Sequence, residues 1–239
     1  MNSKSCTVST VTRKFVMAVS GLGLIGFVFF HLIGNLLLLV PGGVKFNEYA
    51  ARLESLEPYL YIAEIGLVIL FLVHIWNGIR IALSNRRARD SVYVASGSRA
   101  PKTKGGPSKM WFGSTYMAVS GTLLLIFLVI HIAQFKYGPG TEAGYTTILH
   151  GANGPHDARD LYRLVKETFE NGAFVLFYVT SMLFLAMHLR HGFWSWFQSL
   201  GILYPKCSKA IYAIGLLVAL ALGGGFLIIP LWFYFGFAS

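Results

Sequence analysis

Four histidines inside apolar segments are the residues best placed to do chemistry. They are His31, His74, His131 and His188, one in each of the first four apolar segments of the chain. A polar ring in hydrocarbon is costly and often marks function, although a single one is more often a hydrogen-bonded helix contact than a ligand. One histidine in each of four consecutive segments favours ligation. Because two imidazoles complete the coordination of a six-coordinate heme iron, these rings would hold two hemes.

The segments that must position these rings are long enough to span a membrane. Of 239 residues, 55% are hydrophobic and 13% are charged, and the mean hydropathy is +0.59, whereas a soluble domain carries about 25% charged residues. A helix needs roughly 20 apolar residues to cross a bilayer. The predicted fold class is therefore an all-α integral membrane protein with five transmembrane helices, a single domain over residues 1–239. The predicted helices cover 15–40, 59–83, 112–135, 172–198 and 210–235, with a long loop at 136–171.

Basic residues mark one side of the membrane. They dominate the N-terminus, the connection 84–110 and the connection between the fourth and fifth segments, while the other two connections carry mixed charge. By the positive-inside tendency, the N-terminus is cytoplasmic, and an odd number of helices puts the C-terminus outside. This distribution explains the net charge of +10 without nucleic acid as a partner. The outer loop 136–171 is predicted to end in a short amphipathic helix over 158–170.

Cysteine usage bears on how a heme would be attached. Cys6 and Cys207 form no C-x-x-C-H motif, so the sequence gives no support for covalent attachment. The hemes would be b-type, held by their axial ligands and by packing.

The depth of each histidine along its helix sorts the four rings into two pairs. His31 and His131 lie in the later halves of helices that run outward, and His74 and His188 lie in the later halves of helices that run inward. We call His31 and His131 the outer pair, and His74 and His188 the inner pair. At a rise of about 1.5 Å per residue, each pair lies roughly 5–10 Å from the membrane midplane. Two hemes at these depths would form an electron path across most of the ~30 Å hydrocarbon layer.

Two internal repeats indicate that helices one and three are alike, as are helices two and four. Ala-Val-Ser-Gly precedes His31 and His131 at the same offset, and His-x-x-x-Gly recurs at His74 and His188. The fifth helix has neither feature and is predicted to be peripheral to a four-helix heme-binding core. The repeated glycines would make room either for a porphyrin or for close helix packing. They are Gly21 and Gly121, at the depth of the inner pair, and Gly78 and Gly192, one turn beyond it.

Heme propionates are anionic and require nearby cations. Taken residue by residue, each candidate cation is better explained as a basic side chain that extends to the membrane interface. His191 could also compete with His188 for iron, but only His188 belongs to the His-x-x-x-Gly repeat. His150 and His156 fall in the outer loop and are expected to be solvated. The candidates are Arg80, Arg190 and His191 near the inner pair, and Lys45, Arg52 and Lys136 near the outer pair.

Bis-histidine ligation leaves no open position on the iron and therefore favours electron transfer over oxygen chemistry. A membrane-embedded electron carrier needs a lipid-soluble partner that takes up two electrons and two protons, and a quinone meets this need. Its site requires an apolar slot and a protonatable group near the interface. The candidates are Glu64, near the outer end of helix two, and Glu48, in the preceding loop. Either carboxylate is also explained by solvation. Helix four contains no acid in its span, so no carboxylate relay across the membrane is predicted.

Three stretches carry a resemblance to a known family. SGLGLIGFVFFHLIGN, LFLVHIWNGIR followed by NRRAR, and AMHLRHGFWSWFQSLG resemble the cytochrome b membrane-anchor subunit of succinate dehydrogenase and fumarate reductase, in its single-chain, five-helix, diheme form. The motifs match in order, type and spacing over residues 11–235. By motif position, the resemblance implies that His31, His74, His131 and His188 are the axial ligands, in the same pairs that depth predicts.

The resemblance also implies partners and an activity. Similar proteins anchor a flavoprotein subunit and an iron–sulfur subunit on the cytoplasmic side of a bacterial inner membrane, and exchange electrons with a quinone, often menaquinone. The chain would then be a non-flavin subunit that contributes only the quinone half-reaction. Glu48, in KFNEY, is the acid to test first for the quinone site.

Two other functions are compatible with the residues. One is a diheme cytochrome b subunit of another membrane oxidoreductase, such as a hydrogenase or a formate dehydrogenase. The other is a transporter whose buried histidines bind metal ions or protons.

Overall fold

The computed structural model describes residues 10–87, 111–151, 154–202 and 206–237. Five helices in these ranges are long and apolar enough to cross a membrane, which confirms that part of the predicted fold class. Most of the basic connection 84–110 lies outside the described residues. The five helices are α1 (Thr10–Asn35), α3 (Tyr59–Arg87), α4 (Trp111–Phe135), α6 (Gly172–Ser199) and α7 (Ser208–Tyr234).

Four of these helices form a ring. α1 packs against α3 and α6, and α4 packs against α6 and also contacts α3. The order around the ring is therefore α1, α3, α4, α6, with α1 diagonally opposite α4 and α3 diagonally opposite α6. This order matters because each predicted histidine pair comes from two diagonally opposite helices.

Helix α7 lies beside the ring and packs along α6, with further contacts to α1. Two glycines permit this close approach. A Cβ atom on Gly223 would lie 2.6 Å from the Cβ of Ala186, and one on Gly225 would lie 2.7 Å from the Cδ2 of Leu32. The fifth helix thus contributes to the interior, which its lack of histidines did not indicate.

A small extramembrane unit covers one end of the ring, and we call it the cap. It consists of α2 (Val44–Glu54), α5 (Leu161–Glu170) and an antiparallel hairpin of β1 (Thr146–Gly151) and β2 (Gly154–Arg159). The ring of Phe169 in α5 lies 5.0 Å from the ring of Tyr178 in α6. The cap therefore sits at the end that holds the outer pair.

The hairpin corrects the all-α prediction. Strand β2 has the sequence GPHDAR, whose glycine, proline and polar residues are typical of a turn rather than a strand. The helix predicted from Ala158 begins at Leu161, because the Asp160 side chain accepts a hydrogen bond from the Arg163 N–H at 3.0 Å and so caps the helix. Ala158 and Arg159 belong to β2.

Glu167 joins α5 to the segment that leads into the hairpin. Its carboxylate accepts hydrogen bonds from the Tyr145 hydroxyl at 2.5 Å and from the Arg163 Nε at 2.7 Å. These bonds, first from Tyr145 and then from Arg163, hold the pKa of Glu167 below its ordinary value.

Asn47 joins α2 to the start of α5. It is 4% exposed. Its Nδ2 donates to Asp160 Oδ1 at 2.8 Å, and its Oδ1 accepts from the Tyr162 N–H at 2.9 Å. One side chain thus satisfies polar groups on two elements that are far apart in sequence, and fixes the cap as a unit.

Replacing Asn47 with alanine is expected to destabilise the cap by about 1–3 kcal/mol, because the buried Tyr162 N–H loses its acceptor. Hydrogen exchange of the α5 amides should be faster in the variant, as measured by mass spectrometry. Ser55→Ala is the control, since the exposed Ser55 hydroxyl bonds only within its own turn, to Arg52 O. Unchanged exchange in α5 would show that Asn47 does not hold the cap together.

Candidate functional site

The structure brings the four histidines together as two pairs across the ring. The imidazole centroids of His31 and His131 lie 5.9 Å apart, and those of His74 and His188 lie 6.3 Å apart. Each pair joins two diagonally opposite helices, so each site lies inside the ring and at its own depth. These are the partners that depth along the helices predicts.

The spacing within each pair fits an iron between the two rings. Metal–imidazole bonds of about 2 Å on either side of one metal would put the ring centroids about 6 Å apart. Within the described residues, His, Cys, Asp and Glu form no group of three or more around a common point. Each site thus offers two imidazoles, which is the donor set of a bis-histidine heme.

Two serines contact the rings of the inner pair. Ser20 Oγ lies 3.2 Å from His74 Nδ1, and Ser120 Oγ lies 3.1 Å from His188 Nδ1. The two serines are 2% and 3% exposed, respectively. Sequence reasoning identifies them only as members of the repeated Ala-Val-Ser-Gly and assigns them no role. Their equal offset from His31 and His131 on their own helices is the signal that could have identified them.

The glycines that follow these serines give the rings their space. A Cβ atom on Gly21 would lie 3.3 Å from His74 Cε1, and one on Gly121 would lie 3.6 Å from His188 Cε1. The two Ser-Gly pairs of the repeat therefore contact the inner histidines from opposite helices of the four-helix ring, α1 and α4. The other glycines differ: a Cβ on Gly78 would lie 3.5 Å from Met17 Cε, and one on Gly192 would meet nothing within 4 Å.

Aromatic rings enclose the outer pair. Phe27 stacks on His31 with centroids 5.3 Å apart, and Phe127 stacks on His131 with centroids 5.4 Å apart. Each phenylalanine lies four residues before its histidine, so the stacking repeats with the helices. Phe226 of α7 lies 5.7 Å from the His31 ring. These rings make the surroundings of the outer pair apolar.

A polar contact reaches each outer ring. The Tyr178 hydroxyl lies 3.4 Å from His131 Nδ1 and donates to Gln134 Oε1 at 2.7 Å. Asn35 Nδ2 lies 3.4 Å from both ring nitrogens of His31 and donates to the His31 carbonyl oxygen at 2.8 Å. Tyr178, like the serines, has no motif of its own and was not predicted.

The candidate propionate partners near the inner pair fall into two classes. His191 Nδ1 is buried and has no hydrogen-bond partner, and the same holds for Arg13 Nε in the first turns of α1, which was not predicted. Arg80 is exposed and its guanidinium lies 5.8 Å from the Trp76 ring. Arg190 is also exposed. Of these four basic side chains, only His191 and Arg13 thus have a buried nitrogen without a hydrogen-bond partner.

The candidate cations near the outer pair are either ion-paired or exposed. Lys136 forms an ion pair with Glu64. Lys45 and Arg52 are exposed on α2. His150 and His156 are exposed on the hairpin.

Glu64 lies at an apolar slot between α1 and α3. The slot has a volume of about 280 Å³. Phe27, which stacks on His31, forms part of its wall, so a molecule in the slot would be one aromatic ring away from the outer pair. Glu48 is half-buried on α2 and does not line the slot. The other lining residues include Leu60, Gly66, Leu67 and Leu70.

Comparison with known proteins gives a family match over the first part of the chain. No curated protein and no solved structure matches the chain. The matching region contains α1, α2 and α3, and with them His31, His74 and Glu64. Residues 7–94 match the sequence model of the succinate dehydrogenase/fumarate reductase transmembrane subunit family.

Proposed function

We propose that the whole chain is the membrane-anchor and electron-transfer subunit of a succinate:quinone oxidoreductase. One observation carries this proposal: two histidine pairs lie across a four-helix ring at the spacing of bis-histidine heme ligation. The family match over residues 7–94 supports this class of complex. The chain would contribute the quinone half-reaction, while the chemistry of succinate or fumarate belongs to a flavoprotein partner.

In this function, the outer pair His31 and His131 would hold one heme b, and the inner pair His74 and His188 would hold the other. Held by two histidines each, such groups would supply one-electron transfer and leave no site for oxygen. Phe27 and Phe127 keep water from the outer pair. The glycines of the repeated Ser-Gly leave room for the inner rings.

Arg13 and His191 are the residues best suited to hold inner propionates. Each has a buried nitrogen with no hydrogen-bond partner, and a buried donor without an acceptor is costly. An anionic carboxylate would satisfy both. This favours His191 over the exposed Arg80 and Arg190, and it adds Arg13 to the candidates.

The slot beside Glu64 is the proposed quinone site. A quinone headgroup needs apolar walls and a group that exchanges protons, and the slot offers both. Lys136 pairs with the Glu64 carboxylate and orients it. Because Phe27 lies between the slot and His31, electrons have a short path to the outer pair. Glu48 is the alternative acid, nearer the cap surface. Menaquinone is the proposed quinone.

The proposed partners are a flavoprotein subunit and an iron–sulfur subunit on the cytoplasmic side. The basic N-terminus and the basic connection 84–110 support this sidedness through the positive-inside tendency. The inner pair would then receive electrons from, or return them to, the iron–sulfur subunit. The membrane would be a bacterial inner membrane.

Purification of the native complex tests this function. A covalently bound flavin in a co-purifying subunit, with a b-type α band in the dithionite-reduced-minus-oxidised spectrum, is the expected result. A nickel or molybdenum subunit in its place would assign the chain to a hydrogenase or a formate dehydrogenase. A folded protein without the α band would support a histidine-lined transporter.

Replacing His191 with alanine is expected to retain both hemes, because His188, not His191, faces His74 across the ring. The inner heme should be lost more readily, since one propionate partner is gone. Heme content after detergent washing measures this effect, with Arg190→Ala as the neighbouring control. Complete loss of one heme in His191→Ala would show that His191 is the axial ligand.

A further inference from the structure

Both imidazole rings of the inner pair make the same contact with a serine of the repeated Ala-Val-Ser-Gly. Each of these rings meets a buried serine hydroxyl from the neighbouring helix at Nδ1. Each hydroxyl also lies 3.1 Å from the carbonyl oxygen three residues earlier, Met17 O for Ser20 and Met117 O for Ser120. The same two-bond geometry thus occurs twice, on helices that belong to different halves of the chain.

The direction of these hydrogen bonds follows from the number of protons available. A serine hydroxyl carries one hydrogen and has two acceptor lone pairs. If that hydrogen goes to the helix carbonyl, the oxygen can only accept at its other contact, and the donor there is Nδ1–H. A neutral imidazole that is protonated at Nδ1 presents Nε2 as its free nitrogen. Nε2 is then the atom that binds a metal.

We propose that Ser20 and Ser120 are positioning residues for the inner heme. They fix the Nε2-ligating tautomer of His74 and His188 and raise the basicity of both ligands. This inference rests on the proposed function and deepens it. Partners of this kind orient metal-bound histidines and tune the metal, and their loss typically costs about 10–100-fold in metal affinity.

In the described part of the chain, the outer pair has no such serine. The Tyr178 hydroxyl gives its hydrogen to Gln134 and can accept one from His131 Nδ1, but at the longer distance of 3.4 Å. His31 meets Asn35, whose Nδ2 is a donor and cannot accept a ring hydrogen. The serines therefore make the two sites unequal. More basic axial ligands stabilise the oxidised iron, so they lower the reduction potential of the inner heme.

Redox titration and heme-retention measurements on Ser20→Ala and Ser120→Ala in the assembled complex test the proposal. Each variant should raise the potential of the inner heme and increase its transfer to apomyoglobin by about tenfold or more. The outer heme should be unchanged in both measurements. Measurement in a His131→Ala background, which is expected to retain the inner heme alone, removes the overlap between the two signals. Ser20→Thr, which keeps the hydroxyl, should restore the behaviour of the unmodified protein.

Ser181→Ala is the matched control. Ser181 is buried on α6 and its hydroxyl donates to Phe177 O at 2.8 Å. Serine variants that behave like Ser181→Ala would overturn the positioning role and leave the proposed function standing. An equal shift at both hemes would also overturn it. Absence of heme from the unmodified complex would overturn the proposed function, and this inference with it.

Discussion

Replacing His131 with alanine is expected to remove the outer heme and leave the inner heme at full occupancy. The inner ligands His74 and His188 lie on the other two helices of the ring, and their centroid separation of 6.3 Å does not depend on His131. Heme content should fall from about two to about one per chain, because an iron with one imidazole lacks its second axial ligand. The pyridine hemochrome assay measures this change.

The remaining spectrum tests whether one heme survives, and quinone turnover tests which site was lost. A single bis-histidine spectrum should remain, and quinone turnover should fall to background since the outer pair adjoins the slot. His156→Ala, an exposed histidine on the hairpin, should keep both hemes. Equal loss of both hemes in folded His131→Ala protein would contradict the division into two pairs.

Replacing Glu64 with glutamine is expected to lower quinone turnover about 100-fold or more, since general acid–base groups contribute about 10²–10⁴-fold. The amide keeps the shape of the carboxylate but cannot take up or release a proton. Both hemes should remain, and reduction of a dye that accepts electrons from the soluble subunits should be unchanged. Steady-state kinetics with a short-chain quinone analogue measure the loss.

Two further variants separate the slot from the cap as the place of quinone chemistry. Glu170→Gln changes an exposed acid at the end of α5 and should leave turnover unchanged. Glu48→Gln tests the alternative acid on α2. A large loss in Glu48→Gln with none in Glu64→Gln would move the quinone site from the slot to the cap.

The sequence predicts the membrane helices well because their signal is local. Length and continuous hydropathy suffice to place α1, α3, α4, α6 and α7, with ends that shift by a few residues. The direction of each helix and the position of its histidine suffice to predict the histidine pairs, and the structure brings the same partners together.

The missed features depend on tertiary contacts. Ser20 and Ser120 meet histidines 54 and 68 residues away, and Tyr178 meets one 47 residues away. A serine or tyrosine in a membrane helix can bond to its own helix or to any neighbouring one, so its partner cannot be inferred without the order of helices around the ring. The repeat was visible, but it indicated likeness between helices rather than contact.

The hairpin and Phe226 were missed for different reasons. Strand β2 contains glycine, proline and polar residues that are typical of turns, so its local propensity did not indicate a strand paired with β1. Phe226 lies on the one predicted membrane helix without histidine, and only the close packing at Gly225 brings that helix to His31. Both features shape the outer end of the protein.

The central claim is that each histidine pair ligates one heme iron. Pyridine hemochrome analysis of the purified complex, combined with low-temperature electron paramagnetic resonance, tests it most directly. The account predicts about two b-type hemes per chain and two low-spin signals of bis-histidine iron. A correctly assembled complex with fewer than two hemes per chain, or with an iron ligated by a residue outside the two pairs, would contradict it.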